Sequence, residues 1–427
     1  MRKKVAVLLL TYDGVTSWYC GLGSITQYFI HSMPEAVRIL KKEGREVSFF
    51  IGLPFTTKGC LGYRKDLLPK TKKIIRKLGG DIIYFSDNSD GISQYGSLEN
   101  WQSASNGAAS VVINIVEKFD QVIVYSFDTP YCAVGRNVSK QLSHYNGNMP
   151  EIIWVPHSTG LIHETKGIKH SRERFAWEKS AVDDSKIYDN CSVGFINNFM
   201  KNHLIDRFGA SEEKLVPLIN GVVKKNQKRC KLPKWFSSDD IVFSTGRAES
   251  YKGFDYLIRA FAASQKQHNA MLLLLVSIST ACAPIYDKLE KLMKKLKVRG
   301  KIINDFISLE ELGEIFKQKN VKIISVPSIG EPFGLIPEEV RINSRVDGPL
   351  LLLSNTDGLS EQIVNNKDGF LIDVTNTKKF SNKITKILSL DRKQCQAITK
   401  EGKKHLKKDY YYPNNIIESI RKILESK

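Results

Sequence analysis

The sequence predicts an α/β protein with two doubly wound domains. Short apolar segments alternate with amphipathic segments along nearly the whole chain, which is typical of βα units that build parallel sheets. The chain has 427 residues, enough for two domains of ordinary size, each with its own core. A basic stretch without apolar periodicity, residues 224–235, separates the two halves and suits a linker.

The first half contains five apolar segments of strand length, which predict five buried parallel strands. These segments are Val5–Thr11, Val47–Ile51, Ile82–Phe85, Gln121–Ser126 and Ile152–Val155. Helical periodicity between them predicts connecting helices, for example over Ile30–Lys42 and Ala108–Lys118. Bases before the first apolar run resemble the start of a signal peptide, but the run is too short for one and is interpreted as a strand.

The second half repeats this alternation and predicts five further strands. They are Ile241–Thr245, Met271–Ser277, Lys322–Val326, Leu350–Ser354 and Phe370–Ile372. Apolar residues at helical spacing predict a helix over Phe254–Phe261. Near the end, residues 410–413 (YYYP) predict a helix break, and Ile416–Leu424 predicts a final helix.

The composition is that of a globular protein, with 42% hydrophobic and 26% charged residues. No apolar run approaches the roughly 20 residues that a membrane-spanning helix needs. The seven cysteines are scattered without a Cys-x-x-Cys pair, which argues for reduced thiols and against a zinc site or a disulfide framework. We therefore expect a cytoplasmic protein.

Residues 331–339 (EPFGLIPEE) place acids on both sides of a predicted strand-to-helix turn. They follow the strand Lys322–Val326, and Pro337 suits the first position of the next helix. A helix N-terminus offers free N–H groups and a positive dipole end to an anion. Acids beside an anion site suit a ligand that carries both phosphate and hydroxyl groups, such as a nucleotide sugar. The alternative is that Glu338 and Glu339 are ordinary first-turn acids.

Two cations follow the strand Ile241–Thr245, in the segment 246–253 (GRAESYKG). Arg247 and Lys252 therefore lie at the carboxyl edge of a sheet, where open α/β sheets bind ligands. Arginine forks onto phosphate oxygens and lysine acts as a compact point charge, so the pair suits a diphosphate. Two solvated loop cations are the alternative.

With these two motifs in this order, the chain resembles the retaining GT-B fold glycosyltransferases of family 4, the glycosyl transferases group 1. Residues 217–222 (PLINGV) resemble the segment that closes the first domain of that family. Residues 355–361 (NTDGLSE) and 368–371 (DGFL) resemble the loop and strand that follow its two-glutamate motif. The resemblance covers about Pro217 to Asp373 and is weak in the first half.

The resemblance implies two Rossmann-like domains that face each other across a cleft. Residues 1–223 would form the acceptor-side domain, 224–235 the linker and 236–408 the nucleotide-sugar-binding domain. Residues 409–427 would form a helix that packs back on the first domain.

The resemblance also implies transfer with retention by front-face substitution, in which the leaving phosphate accepts the proton of the acceptor hydroxyl. Glu331 would hold the donor sugar and Glu339 the ribose, while the amides of Gly334, Leu335 and Ile336 would stabilise the phosphate. The chain contains no Asp-x-Asp, so we expect no metal: Arg247 and Lys252 would carry its charge. A UDP-sugar is the expected donor, with GDP- and ADP-sugars as alternatives.

In the first half, residues 20–23 (CGLG) are predicted to lie in a loop after the first strand. Gly21 and Gly23 would allow close approach to the donor diphosphate, and an ordinary turn is the alternative. His157 leaves the strand Ile152–Val155 at the ligand edge, and the resemblance implies that it contacts the transferred sugar. A structural histidine is the alternative.

A net charge of +19 predicts an anionic surface or ligand and disfavours a cationic acceptor. Bases interleave with apolar residues over 58–78, a pattern that suits a helix on the anionic inner face of a membrane. A solvated basic face over a core-facing apolar side is the alternative. Two other functions remain open. One is different chemistry on this fold, as in a phosphorylase or a ring-coupling enzyme. The other, a nucleic-acid binder, lacks recognition motifs, so we expect no nucleic-acid partner.

Overall fold

The computed structural model describes residues 3–60, 62–89, 96–165, 172–224, 230–277, 283–305 and 307–425. The chain divides into two compact units. The first unit contains Met1–Val223 together with Tyr411–Lys427, and the second contains Lys224–Tyr410. Residues 225–229 of the expected linker lie outside the described residues.

The first unit is built on a parallel sheet of seven strands, in the order β3-β2-β1-β4-β5-β6-β7. The strands are β1 (Lys3–Leu10), β2 (Arg45–Pro54), β3 (Ile82–Phe85), β4 (Gln121–Phe127), β5 (Glu151–Val155), β6 (Cys191–Phe195) and β7 (Leu215–Pro217). The helices of its first segment are α1 (Gly21–Lys42), α2 (Leu67–Lys77), α3 (Leu98–Val116), α4 (Val134–Gln141), α5 (Gly160–Thr165), α6 (Arg172–Ile187) and α7 (Asn198–Phe208).

The central strand β1 is fully buried from Val5 to Leu10, as its unbroken apolar run requires in a parallel sheet. It lies between β2 and β4, so that Leu8 is paired with Phe50 on one side and with Val124 on the other. The strand order reverses between β1 and β4, and the loops that follow these two strands therefore flank the switch point of the sheet.

The second unit is built on a parallel sheet of six strands, in the order β10-β9-β8-β11-β12-β13. The strands are β8 (Ile241–Arg247), β9 (Met271–Ser277), β10 (Gly300–Ile303), β11 (Val321–Val326), β12 (Leu350–Ser354) and β13 (Phe370–Ile372). The helices are α8 (Phe254–Ser264), α9 (Ala283–Lys295), α10 (Leu309–Phe316), α11 (Ile336–Asn343), α12 (Asp357–Glu361), α13 (Thr377–Leu388) and α14 (Arg392–Asp409).

Two apolar layers sandwich this second sheet. Leu272 and Leu274 of β9 point to the layer that contains Leu257 and Phe261 of α8, whereas Leu273 belongs to the opposite layer, as the twofold period of a strand dictates. The strand order reverses between β8 and β11. The two motifs that the sequence singled out follow these two strands and therefore meet at the switch point.

The last helix, α15 (Tyr412–Glu425), belongs to the first unit. It packs along α1, with the buried Tyr412 ring 5.9 Å from the Phe29 ring. The Tyr125 hydroxyl of β4 donates to Ser419 Oγ at 2.8 Å. The predicted helix break is confirmed and falls at Tyr410 and Tyr411, since α14 ends at Asp409 and α15 begins at Tyr412.

All ten predicted strands are confirmed, but three further strands within the described residues were missed. Gly194 interrupts the apolar pattern of β6, β7 has only three residues, and β10 alternates weakly at the edge of its sheet. The prediction of a loop for residues 20–23 was wrong: Gly21 and Gly23 lie in the first turn of α1. The buried apolar spacing of α1 already starts at Leu22, and its burial outweighs the low helix propensity of glycine.

Candidate active site

The loop after β8 is held against the loop after β11 by a glycine contact. Gly253 has φ +67°, and a Cβ atom there would lie only 2.0 Å from the carbonyl oxygen of Pro327. The Ile329 N–H also donates to the carbonyl of Tyr251 at 2.8 Å. Only glycine allows this conformation and this approach, so the two loops have one fixed relative position.

An ion pair joins the two loops at the switch point. Lys252 Nζ lies 2.5 Å from Glu331 Oε2, and the two side chains are only 18% and 15% exposed. The ammonium also lies 5.1 Å from the centre of the Tyr251 ring, and Ser328 Oγ donates to the same carboxylate oxygen at 3.4 Å. Two of the residues predicted from the sequence are thus in direct contact.

Arg247 lies beside this pair at the end of β8. Its guanidinium is 2.8 Å from Glu249 Oε1 and donates to the Tyr251 hydroxyl at 3.0 Å. The Arg247 side chain is 51% exposed, so it remains accessible to a ligand. Tyr251 thus contacts both Arg247 and Lys252, and it orders the two cations along one edge of the loop.

The peptide groups of Glu331 are clamped from both sides by the start of α12. Asp357 Oδ2 accepts the Glu331 N–H at 2.9 Å, and the Gly358 N–H donates to the Glu331 carbonyl at 3.1 Å. Asp357 has φ +42°, in the left-handed region that costs a residue with a Cβ atom free energy. Its carboxylate therefore holds Glu331 at the expense of backbone strain.

The turn between Glu331 and α11 is fixed by Gly334 and Gln362. Gly334 has φ +77°, and a Cβ atom there would lie 2.9 Å from Glu331 Cγ. The buried Gln362 amide donates to the carbonyls of Phe333 and Gly334 at 2.5 and 3.2 Å. The sequence analysis missed Asp357 and Gln362, whose partners are more than 25 residues away in the chain. Of the two, Asp357 could have been found from the sequence, because the dipeptide Asp357-Gly358 is typical of a turn.

The acids at the start of α11 have different environments. The helix begins at Ile336 after Leu335, which places Pro337 at its second position rather than its first. Glu338 is fully buried and pairs with Arg341 at 2.8 Å, and burial raises the pKa of its carboxyl group. Glu338 is thus a core residue. Glu339 is 4% exposed in the same turn, and the ribose-binding role predicted for it stays a prediction.

In the first unit, Asp13 organises the loop that precedes Gly21 and Gly23. Its buried carboxylate accepts hydrogen bonds from five groups: the backbone N–H groups of Gly14, Tyr19 and Cys20, the Ser17 hydroxyl and the Cys20 thiol. A Cβ atom on Gly23 would lie 2.8 Å from Asp13 Oδ2, whereas one on Gly21 would meet nothing within 4 Å. Gly23 is therefore required by packing, and Gly21 is the more open of the two.

His157 lies at the carboxyl end of β5, as predicted. Its backbone N–H donates to Asp128 Oδ1 at 2.7 Å, and its ring lies 4.5 Å from the Phe127 ring. Within the described residues neither ring nitrogen has a hydrogen-bond partner, although both are shielded from solvent. Burial lowers the pKa of His157, so the ring is neutral near pH 7. Asp128 itself has φ +66°, a second strained aspartate that the sequence analysis missed.

The described residues contain no helix that is long and apolar enough to cross a membrane. The helix α2, which lies within the basic segment 58–78, buries Leu67, Thr71 and Ile75 in its own unit. Its bases Lys70, Lys73, Arg76 and Lys77 are exposed. The side of α2 that carries Leu67 and Ile75 therefore belongs to the core.

Comparisons with known proteins relate the second unit to a family and the whole chain to a fold. Residues 227–405 match the family described as glycosyl transferases group 1. An uncharacterized glycosyltransferase of Methanocaldococcus jannaschii is 25% identical over 251 residues, which is 56% of this chain and 61% of that protein. The match thus spans less than two thirds of the relative's length.

Several solved structures share the fold of the whole chain. Sucrose-phosphate synthase from Thermosynechococcus elongatus aligns with a TM-score of 0.69 at 15% identity, over 99% of this chain and 100% of that one. A glycosyltransferase from Rickettsia africae has a TM-score of 0.65 at 19% identity, over 99% and 97%. HepE from Anabaena, in complex with UDP and glucose, has a TM-score of 0.66 at 14% identity, over 99% and 100%. The chain has the GT-B fold, and its residues 227–405 are similar to the glycosyl transferases group 1 family.

Proposed function

We propose that the protein is a retaining glycosyltransferase that moves a sugar from a nucleotide-sugar donor to a hydroxyl acceptor. The observation that supports this proposal is the ion pair between Lys252 and Glu331. It joins a cation and a carboxylate at the switch point of the second sheet, which lies within the residues that match the family. The cation suits the leaving diphosphate and the carboxylate suits sugar hydroxyls. One ligand that carries both groups, a nucleotide sugar, would engage both residues.

The geometry around Lys252 suits a donor that is bound without breaking the ion pair. A lysine ammonium has three N–H donors, and Glu331 accepts one of them. The other two N–H groups of Lys252, together with the half-exposed guanidinium of Arg247, would donate to phosphate oxygens. Cations that are fixed in advance stabilise the charge that develops on a leaving diphosphate and cost no reorganisation during the reaction.

The N-terminus of α11 would supply the second phosphate contact. The amides of Gly334, Leu335 and Ile336 lie at the start of this helix, where free N–H groups and the helix dipole favour an anion. Glu339, in the first turn, would accept hydrogen bonds from the ribose hydroxyls. The HepE complex with UDP and glucose supports a UDP-sugar as the donor class.

Residues of the first unit would recognise sugar and phosphate groups. The neutral ring of His157 has one donor and one acceptor nitrogen, which suits a sugar hydroxyl. Gly21 would allow close approach to the donor diphosphate, with Gly23 fixing the loop beside it. The acceptor would be a neutral or anionic glycan, lipid-linked or other small molecule with a free hydroxyl group.

In the proposed reaction the bond between the anomeric carbon and the diphosphate breaks as the acceptor oxygen attacks from the same face. The leaving phosphate takes the proton of the acceptor hydroxyl, and the cations balance its charge. Glu331 would stabilise the donor sugar as it acquires positive character, and it would not attack the carbon. No metal is required in this scheme, since Arg247 and Lys252 supply the positive charge.

The experiment that tests this function is a donor screen with product analysis. UDP-, GDP- and ADP-sugars are ranked by the increase in Tm that they cause, because a specific ligand stabilises the folded state by mass action. Turnover of the best donor is then followed as nucleotide release, and the anomeric configuration of the product is read by NMR. A product with inverted configuration contradicts the retaining assignment. Turnover that depends on free phosphate instead of a nucleotide sugar would show phosphorylase chemistry.

A further inference from the structure

The second unit contains a cavity of about 550 Å3 between α8 and α9 that the proposed reaction does not use. Its floor is apolar and mainly aliphatic. Phe254 and Leu289 are buried there, and Ile285 and Leu292 are partly buried. The volume falls in the range of small-molecule sites, roughly 300–1,000 Å3, and such sites are typically apolar with a few polar groups.

The rim of the cavity is basic. Arg259 of α8 and Lys288, Lys291 and Lys295 of α9 line it, against the acids Glu249 and Asp255. All four bases are exposed, and no ion pair engages any of them in the part of the chain that the structure describes. Lys294, which does not line the cavity, is paired with Glu290 at 3.3 Å. The rim thus holds unpaired positive charge directly above an apolar floor.

The spacing on α9 produces this combination. Ile285, Lys288, Leu292 and Lys295 follow one another at three and four residues, so they share one face of the helix. A helix face on which apolar and basic side chains alternate is better suited to bind a ligand with an apolar body and an anionic head group than to pack against another helix. Each lysine can lay its alkyl chain along the floor and keep its ammonium at the rim.

We propose that this cavity binds a free alkyl phosphate, with the chain on the aliphatic floor and the phosphate among the rim bases. A phosphate group accepts hydrogen bonds from several cations at once and gains more from this rim than a neutral head group would. The aliphatic lining from α9 favours a flexible alkyl chain over a planar base. The proposal stands independently of the transferase function, since it uses none of the residues assigned to the donor.

The cavity also touches both loops of the candidate active site. Glu249 and Ser250 line it from the loop after β8, and Ile329 lines it from the loop after β11. Ile329 lines this cavity and is 44% exposed, a large fraction for an isoleucine. An alkyl chain in the cavity would cover part of that apolar surface.

Titration calorimetry of the full chain with decyl phosphate, kept below its critical micelle concentration, tests the proposal. We expect saturable binding to one site, and binding of inorganic phosphate and of decanol that is at least about tenfold weaker, because each lacks one half of the interaction. Equal binding of inorganic phosphate would indicate a general anion site and overturn the proposal. Binding to phosphatidic acid vesicles without binding to monomeric decyl phosphate would also overturn it.

Two variants and a matched control locate the site. Lys288→Glu should weaken decyl phosphate binding about tenfold or more, while Lys294→Glu makes the same charge change on the same helix outside the cavity and should leave it unchanged. Leu292→Trp should abolish binding by filling the cavity without changing the charge. Circular dichroism and Tm verify folding of each variant. Equal losses in Lys288→Glu and Lys294→Glu, or full binding by a folded Leu292→Trp protein, would place the ligand elsewhere.

Discussion

At the scale of single residues, the ion pair between Lys252 and Glu331 leads to the first prediction. If Lys252 neutralises the leaving diphosphate, Lys252→Ala should lower turnover by about a hundredfold, since one such electrostatic contact supplies ~3 kcal/mol of transition-state stabilisation. The measurement is kcat at saturating donor. Lys322→Ala is the matched control, because Lys322 is a half-exposed lysine of the same unit that pairs with Asp240. Near-normal turnover of Lys252→Ala would contradict the role.

The two glutamates of residues 331–339 should respond differently to removal of charge. Glu331 is predicted to contact the sugar that becomes positive, so Glu331→Gln should chiefly lower kcat. Glu339 is predicted to hold the ribose, which takes part in no bond change, so Glu339→Gln should chiefly raise the donor KM. Steady-state kinetics separate the two effects. A covalent sugar trapped on Glu331, found by intact-protein mass spectrometry, would replace the front-face mechanism with a double displacement.

Asp357 offers a test of how Glu331 is positioned. Its carboxylate accepts the Glu331 N–H while its backbone is held at φ +42°. Asp357→Gly should remove about 1 kcal/mol of backbone strain but also the acceptor, so turnover should fall although stability is nearly kept. Asp357→Asn keeps an acceptor oxygen and tolerates the left-handed region, so it should retain most of the activity. Equal turnover of the Gly and Asn variants, measured beside urea unfolding, would show that the hydrogen bond does not position Glu331.

At the scale of elements, the apolar pattern of the sequence predicted where strands lie. The ten predicted strands follow from apolar runs, whereas the strand order, and with it the two switch points, was not predicted from the sequence. The contacts of Gly253 with Pro327 and of Asp357 with Glu331 could not be predicted, because they join loops that are far apart in the sequence and depend on loop conformation. The loop predicted for Gly21 and Gly23 was wrong, because both glycines lie in the first turn of α1, whose buried apolar spacing starts at Leu22.

The helix α2 carries the prediction on membranes. Its apolar residues Leu67 and Ile75 are buried in its own unit, and its bases Lys70, Lys73, Arg76 and Lys77 are exposed. We predict binding to phosphatidylserine vesicles that is electrostatic and disappears as salt shortens the screening length. Co-sedimentation at low and high salt is the measurement. Lys73→Glu with Lys77→Glu should remove the binding, whereas Lys294→Glu should not. Binding that persists at high salt would mean that apolar groups insert.

At the scale of the whole molecule, only part of the candidate site could be predicted from the sequence motifs. Lys252, Glu331 and Gly334 were all predicted, and in the second unit Lys252 and Gly334 both lie against Glu331. The weak resemblance in the first half left Asp13 and Asp128 unnoticed, although both follow central strands at a sheet's switch point. Their roles depend on buried hydrogen bonds and on a left-handed backbone, which composition and spacing do not reveal.

The last prediction concerns the need of the proposed reaction for metal ions. The chain has no Asp-x-Asp, and Arg247 and Lys252 lie together on one loop beside Tyr251, where they would take over the charge that a divalent cation supplies to a leaving diphosphate. Turnover should therefore survive EDTA at concentrations well above any contaminating metal. The double variant Arg247→Ala with Lys252→Ala should be nearly inactive. Added magnesium should restore little of its activity, because the described residues contain no cluster of three or more His, Cys, Asp or Glu side chains that could hold a metal ion. Loss of wild-type activity in EDTA, with recovery on addition of magnesium or manganese and an unchanged Tm, would assign the charge-balancing role to a metal instead of to the two side chains.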